Sequence, residues 1–154
     1  MTKLNTNIPV IIYADGGCHN NGVHKGKGGY GAILKYGKME KIIYGGEINT
    51  TSNRMELMAA IKAIQALRST EYVVKLHSDS QYVVKGVNEW SKKWIKNGWR
   101  STSGSEVVNI DLWKKLLELV AKYKIEFIWV RGHTGHELQE TAHTLAEKGI
   151  EKVK

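Results

Sequence analysis

Three carboxylates in this chain of 154 residues stand where a predicted strand ends or a predicted helix begins. Asp15 ends an apolar run, 10–14, whose composition predicts a strand at the centre of a sheet. Asp79 follows a second apolar run, 72–77, and Glu56 lies in the first turn of a predicted helix. An ionised carboxylate is costly to bury without a partner, so a metal ion is the strongest candidate to neutralise Asp15. Hard divalent cations prefer oxygen ligands, and two such ions typically lie about 3.5–4 Å apart in phosphoryl-transfer sites.

Two of these acids also have a structural interpretation when each is considered alone. Glu56 follows Asn53 at the spacing of a capping box, in which the acid reaches back to the cap amide. Asp79 could cap the short helix predicted over 80–87. The placement of all three acids at two strand ends and one helix start favours a shared site over these separate interpretations.

Apolar periodicity predicts the elements that would bring the acids together. A turn at Gly37 and Lys38 joins two strands into an antiparallel hairpin, and Gly149 is expected to cap the last helix. We expect an α/β fold in a single domain, residues 1–154, with the site at the strand ends of a mixed sheet. The predicted strands are 10–15, 30–36, 40–48, 72–77 and 125–130, and the predicted helices are 51–68, 80–87, 89–97, 109–120 and 136–148.

The charge balance points to a polyanionic partner. Lys and Arg number 23 against 15 Asp and Glu, which gives a net charge of +8. The only cysteine, Cys18, excludes an intrachain disulfide and a cysteine zinc cluster, which is typical of a reducing cytoplasm. Residues 1–7 are polar, and no run approaches the length of a membrane span. We therefore expect a soluble, intracellular protein.

Three motif interpretations fail. Residues 26–31 match the dinucleotide fingerprint G-x-G-x-x-G, but a strand-like run follows where that fingerprint requires a helix. His136 begins a zinc-protease-like helix, but Glu140 stands where the second histidine is required. A zinc site made of His133, His136 and His143 would leave the carboxylates unexplained.

Six segments occur in order along the chain, namely YADGGC (13–18), GGYGA (28–32), TSNRMELMAA (51–60), SDSQYV (78–83), NIDLW (109–113) and WVRGHTGH (129–136). Together they resemble bacterial-type ribonuclease H, type 1, and the resemblance runs from about residue 9 to residue 150. The resemblance implies the ribonuclease H-like fold, a five-stranded mixed sheet flanked by helices. It also implies an endonuclease that hydrolyses the RNA strand of RNA–DNA hybrids with two Mg²⁺ or Mn²⁺ ions and leaves 5′-phosphate and 3′-hydroxyl ends.

The resemblance assigns the catalytic residues position by position. Asp15, Glu56 and Asp79 match the family's metal-binding acids, and His133 matches a histidine that assists proton transfer or product release. The family usually has a fourth carboxylate in the last helix, where this chain has His143. We count His143 among the catalytic and metal-binding residues, because a neutral imidazole can still donate a lone pair to a metal.

With His143 in place of a carboxylate, the site has one negative charge fewer, and the imidazole is a ligand that suits Mn²⁺ better than Mg²⁺. We therefore predict activity with a relative preference for Mn²⁺ and a steeper loss toward acidic pH as the imidazole protonates. Glu140 and Glu147, one turn to either side, are candidates to supply the missing charge.

The resemblance also implies contacts to an RNA–DNA hybrid, in which the 2′-hydroxyl distinguishes RNA from DNA. Tryptophans in the basic segment 90–100 are expected to pack against one another more than to stack on bases. We expect a monomer without membrane contact. The alternatives are a non-cleaving hybrid-binding module, if His143 disables metal binding, and a domain detached from a reverse transcriptase. The matching substrate positions are Cys18, Asn21, Thr51, Ser52, Asn53 and Gln81, together with the cations Lys92, Lys93, Lys96 and Arg100.

Overall fold

The described residues form one mixed sheet of five strands, in the order β3-β2-β1-β4-β5, with helices packed against it. The computed structural model describes residues 8–19, 26–101, 103–132 and 137–153. Within these ranges no helix is both long enough and apolar enough to cross a bilayer. The strands are β1 (Val10–Cys18), β2 (Gly26–Tyr36), β3 (Met39–Thr50), β4 (Val73–Ser78) and β5 (Lys124–Trp129), and the helices are α1 (Ser52–Gln65), α2 (Gln81–Lys85), α3 (Ser91–Lys96), α4 (Ile110–Lys122) and α5 (Glu137–Lys152), with a π-helical turn, Gly86–Trp90, between α2 and α3.

The register of the two central strands places Asp15 beside Asp79. Strand β1 is antiparallel to β2 and parallel to β4, with Ala14 opposite Ser78. Asp15 follows Ala14 and Asp79 follows Ser78, so both carboxylates lie at the same edge of the sheet. The expected mixed five-stranded sheet and the central position of the first strand are confirmed.

Strand β1 is longer than predicted. It does not end at Asp15 but continues to Cys18, because β2 begins at Gly26 and keeps pairing with it as far as Gly28. The glycine-rich stretch, residues 16–29, falls between two predicted strands and is predicted to form a loop, since glycine weakens a strand. Its glycines instead allow close helix contacts, because a Cβ at Gly29 would overlap the backbone of Ala146 in α5.

Helices cover the sheet on opposite faces. A Cβ at Gly28 would meet Met55 of α1, whereas a Cβ at its neighbour Gly29 would meet α5. Since successive residues of a strand face opposite sides, α1 and α5 lie on opposite sides of the sheet. The largest fully buried side chains lie mainly on the α1 side, namely Ile12, Met55, Leu57, Ile64, Val74, Leu76, Val83, Trp113 and Leu116.

The start of α1 differs from the predicted capping box. Thr51 is the N-cap, and its hydroxyl accepts a hydrogen bond from the backbone N–H of Arg54 at 3.3 Å. Glu56 therefore lies beyond the first turn, and its carboxylate accepts from the backbone N–H of Gly16 at 2.7 Å. The capping-box interpretation of Glu56 is wrong, and its side chain connects α1 to β1 instead.

The structure corrects two further predicted caps. Ser80, not Asp79, caps α2, because its hydroxyl accepts from the backbone N–H of Val83 at 3.1 Å. Gly149 does not end the last helix, which continues to Lys152. A side chain at Gly149 would overlap the carbonyl of Gly45 in β3, so this glycine permits close packing of α5 on the sheet.

Candidate active site

Folding brings Asp15, Glu56 and Asp79 together; we refer to these three residues as the acid cluster. One carboxylate oxygen from each lies within 4.8 Å of the others. Asp15 is contributed by β1, Glu56 by α1, and Asp79 by the residue that follows β4. The sequence separation of these residues is large, so the sheet register and the seating of α1 create the cluster.

Burial and mutual repulsion oppose ionisation of the acid cluster. Asp15 is only 4% exposed. Burial, followed by the charge of Asp79, raises the pKa of Asp15 from 3.8 to about 7. Burial and the charges of Asp15 and Asp79 also raise the pKa of Glu56 well above its usual value, although the hydrogen bond from Gly16 opposes that rise. Added positive charge near the cluster would therefore stabilise its ionised form.

Asp79 presents a buried oxygen that lacks a hydrogen-bond partner among the described residues, namely Oδ1. Its main-chain carbonyl is held from the other side, because Trp129 donates its indole N–H to that oxygen at 3.1 Å. Gly132 closes over the carboxylate, since a Cβ there would lie 2.9 Å from Oδ2. This buried carboxylate oxygen and the two neighbouring acids offer oxygen ligands of the kind that a hard divalent cation prefers.

His143 approaches the acid cluster from α5. Its Nδ1 lies 2.9 Å from Oδ2 of Asp15, and its side chain is 52% exposed. The imidazole thus stands beside the cluster at the position where the sequence predicts a replacement for a fourth acid. Sequence reasoning did not single out Gln139, one turn earlier, whose buried amide donates to the carbonyl of Ala14 at 3.4 Å. That contact fixes the start of α5 against β1, and a single polar residue in a helical pattern gives no signal of such a role.

The predicted substrate residues lie around the same edge but differ in exposure. Asn53 and Gln81 are exposed, and Ser52 is partly exposed. The hydroxyl of Thr51 is engaged in capping α1. The thiol of Cys18 is buried and lies 3.4 Å from the carbonyl of Thr50. The predicted positions Asn21 and His133 lie outside the described residues.

The basic segment 90–100 carries its cations on an aromatic cluster. The ring of Trp94 packs at a tilt against those of Trp90 and Trp99, with ring centroids 6.1 Å away in each case, and edge-on against that of Trp113 of α4, at 4.9 Å. The indole rings are therefore used to build the segment, as expected. Four cations are exposed on it, namely Lys92, Lys93, Lys96 and Arg100.

Known proteins share both the sequence and the fold. The family model described as RNase H matches residues 7–151. A ribonuclease H of Hahella chejuensis is 53% identical over 93% of this chain and 94% of its own. The crystal structure of LC9-RNase H1, a type 1 RNase H with the type 2 active-site motif, is similar with a TM-score of 0.85 at 32% identity, over 97% of this chain and 75% of that one. LC11-RNase H1, solved in complex with an RNA/DNA hybrid, shares the fold, with a TM-score of 0.66 at 19% identity, over 93% of this chain and 97% of that one.

Proposed function

Because this chain belongs to the RNase H family, we propose that its acid cluster is the centre at which the RNA strand of an RNA–DNA hybrid is hydrolysed. The chain is an endoribonuclease of that family and depends on divalent cations. The observation that carries the assignment of the site is the convergence of Asp15, Glu56 and Asp79 within 4.8 Å. Their raised pKa values mean that the ionised cluster needs positive charge, which a divalent cation would provide.

We assign the metal ligands to the acid cluster together with His143. Two bound Mg²⁺ or Mn²⁺ ions would supply an activated water and stabilise the leaving 3′-oxygen. The unpaired Oδ1 of Asp79 and the buried carboxylate of Asp15 fit such ions, since both are hard oxygen donors. Gly16 holds one oxygen of Glu56 through its backbone N–H and so orients this carboxylate toward the other two.

The imidazole of His143 favours Mn²⁺ over Mg²⁺ in this proposal. It contributes a nitrogen donor and no charge, so the ligand set carries three formal negative charges, one from each member of the acid cluster. Imidazole suits later transition metals better than Mg²⁺, which prefers oxygen and water. The position of Nδ1, 2.9 Å from Asp15, supports a role at the cluster.

Binding of the hybrid is assigned to the surface that surrounds the acid cluster. Ser52 and Asn53 begin α1 and Gln81 begins α2, and their polar groups suit the minor groove and its 2′-hydroxyls. The exposed cations of segment 90–100 suit the phosphates of the DNA strand. The buried thiol of Cys18 leaves its backbone as the group that would contact substrate.

We further propose one RNase H domain over residues 1–154, a monomeric state and a cytoplasmic location. The single five-stranded sheet and the family match over residues 7–151 support the first proposal. A lone cysteine is typical of a reducing compartment.

The test of this function uses an RNA–DNA hybrid labelled at one end of the RNA. We expect cleavage in Mn²⁺ and in Mg²⁺, none in EDTA, and products with 5′-phosphate ends. Asp15→Asn should abolish cleavage, whereas Glu151→Gln, an exposed acid on α5, should not. Hybrid binding without cleavage in either metal, or full activity of Asp15→Asn, would contradict the assignment.

A further inference from the structure

A second carboxylate faces His143 from the side opposite Asp15. Glu147 follows His143 by one turn of α5, and its Oε1 lies 4.0 Å from the ring Nε2. The ring Nδ1 lies 2.9 Å from Asp15. The imidazole therefore stands between a buried acid of the cluster, 2.9 Å from Nδ1, and a partly exposed acid on its own helix, 4.0 Å from Nε2.

Glu147 is itself anchored by a third residue. Its other oxygen, Oε2, lies 3.2 Å from Nε2 of His19, which follows the end of β1. Two residues of α5, His143 and Glu147, therefore contact two residues near the end of β1 and just beyond it, Asp15 and His19. This second contact keeps the carboxylate of Glu147 on the face of α5 that His143 occupies.

The chemistry of a histidine ligand requires one specific tautomer. If Nδ1 is to donate a lone pair to a cation beside Asp15, the ring proton must lie on Nε2. A carboxylate that accepts a hydrogen bond from the second ring nitrogen favours that tautomer and raises the basicity of the first. Glu147 lies on the Nε2 side, and a shift of about 1 Å in its flexible side chain would make the 4.0 Å separation a hydrogen bond.

We propose that Glu147 is a positioning residue that holds His143 in the tautomer whose Nδ1 lone pair can bind the cation. This inference rests on the proposed function, because it takes His143 as a ligand. Glu147 would thereby place a negative charge behind the imidazole, so that the pair partly replaces the carboxylate that the family usually has at position 143.

The test compares Glu147→Ala with Glu151→Ala, which removes an exposed acid one turn further along the same helix. Mn²⁺ affinity is measured by electron paramagnetic resonance on the whole chain without substrate. Removal of a partner of a ligating histidine typically weakens metal binding about 10- to 100-fold. We expect a loss of about 10-fold for Glu147→Ala and less than about 2-fold for Glu151→Ala. Equal affinities for the two variants would overturn the proposal.

A spectroscopic signature separates tautomer control from a general loss of negative charge. In the metal-free protein, ¹H–¹⁵N spectra report which ring nitrogen of His143 carries the proton, and Glu147→Ala should shift the population from Nε2–H toward Nδ1–H. Glu147→Ala is also combined with His143→Asp, where no ring proton remains to be oriented. We expect the effect of Glu147→Ala on Mn²⁺ affinity to fall below about 2-fold in that background. An equal loss in both backgrounds would overturn the proposal.

Failure of this proposal is distinguishable from failure of the proposed function. If the acid cluster is not the metal site, Asp15→Asn will bind Mn²⁺ and cleave hybrid as the unaltered chain does. If only the role of Glu147 is wrong, Asp15→Asn will lose both properties while Glu147→Ala matches Glu151→Ala.

Discussion

Asp15→Asn should make the metal-free protein more stable while it abolishes activity. Burial and the charge of Asp79 raise the pKa of Asp15 from 3.8 to about 7. At about 1.4 kcal/mol for each tenfold change in the ionisation equilibrium, this rise corresponds to about 4 kcal/mol of lost stability once the group is fully ionised. The amide keeps the shape of the side chain and carries no charge, so the substitution removes the cost of ionisation.

The sign of the pH dependence follows from proton binding. Between about pH 4 and pH 7 the folded protein holds the proton of Asp15 more tightly than the unfolded chain does. Stability therefore falls as pH rises through this window, and the full cost is present above about pH 7. The advantage of Asp15→Asn should be less than about 1 kcal/mol at pH 4 and approach about 4 kcal/mol at pH 8.

The assay is urea and thermal unfolding in EDTA at both pH values, with Glu151→Gln as the charge-matched control. For a chain of this length, about 4 kcal/mol corresponds to a rise in Tm of about 8–16 °C. Saturating Mn²⁺ should reverse the order, because cations that bind only the folded protein stabilise the unaltered chain. The reasoning is refuted if Asp15→Asn is no more stable than the unaltered protein at pH 8 in EDTA, or if its gain is the same at pH 4.

Three other expectations concern the metal, the substrate and the core. His143→Asp should raise the Mg²⁺-supported cleavage rate relative to the Mn²⁺-supported rate; equal rates in the two metals, unchanged by the substitution, would contradict the role given to the imidazole. Neutralising the cations of segment 90–100 should weaken hybrid binding more than turnover at saturation and reduce the slope of log K against log salt by about 0.7–0.9 for each phosphate that is no longer neutralised. Hybrid binding that is unchanged when all four cations are neutralised would contradict the assignment of segment 90–100 to phosphate contacts. Gly86→Ala should destabilise the fold by about 1–3 kcal/mol, because its Cβ would overlap the indole ring of Trp113; an unchanged urea midpoint would contradict this.

The sequence predicts the sheet and the meeting of the acids because both depend on strong local patterns. Runs of β-branched residues identify β1 and β4, and the order of elements implies that their ends meet. The wrong predictions fall where tertiary packing decides. Gly29 and Gly149 look like loop and cap residues, yet both lie where α5 touches the sheet. Glu56 has the spacing of a capping residue, and only the fold shows that Gly16 is its partner.

The surroundings of His143 could not be predicted in the same way. The sequence identifies a histidine in place of an acid, but the direction of each ring nitrogen depends on how α5 is rotated against β1. Residues from distant parts of the chain, Gln139 at Ala14 and Glu147 at His19, fix that rotation. No local pattern connects positions that are more than a hundred residues apart.

The missing side chains at Gly29, Gly31 and Gly149 let the last helix touch the backbone of the sheet directly. Because these contacts are made largely by backbone atoms, they leave little flexible side chain between α5 and the sheet that could rearrange to accommodate a shift. A methyl group added at any of these positions would overlap atoms across the interface between α5 and the sheet, so the two elements would have to move apart. The position of His143 beside the acid cluster thus depends partly on residues that have no functional groups at all.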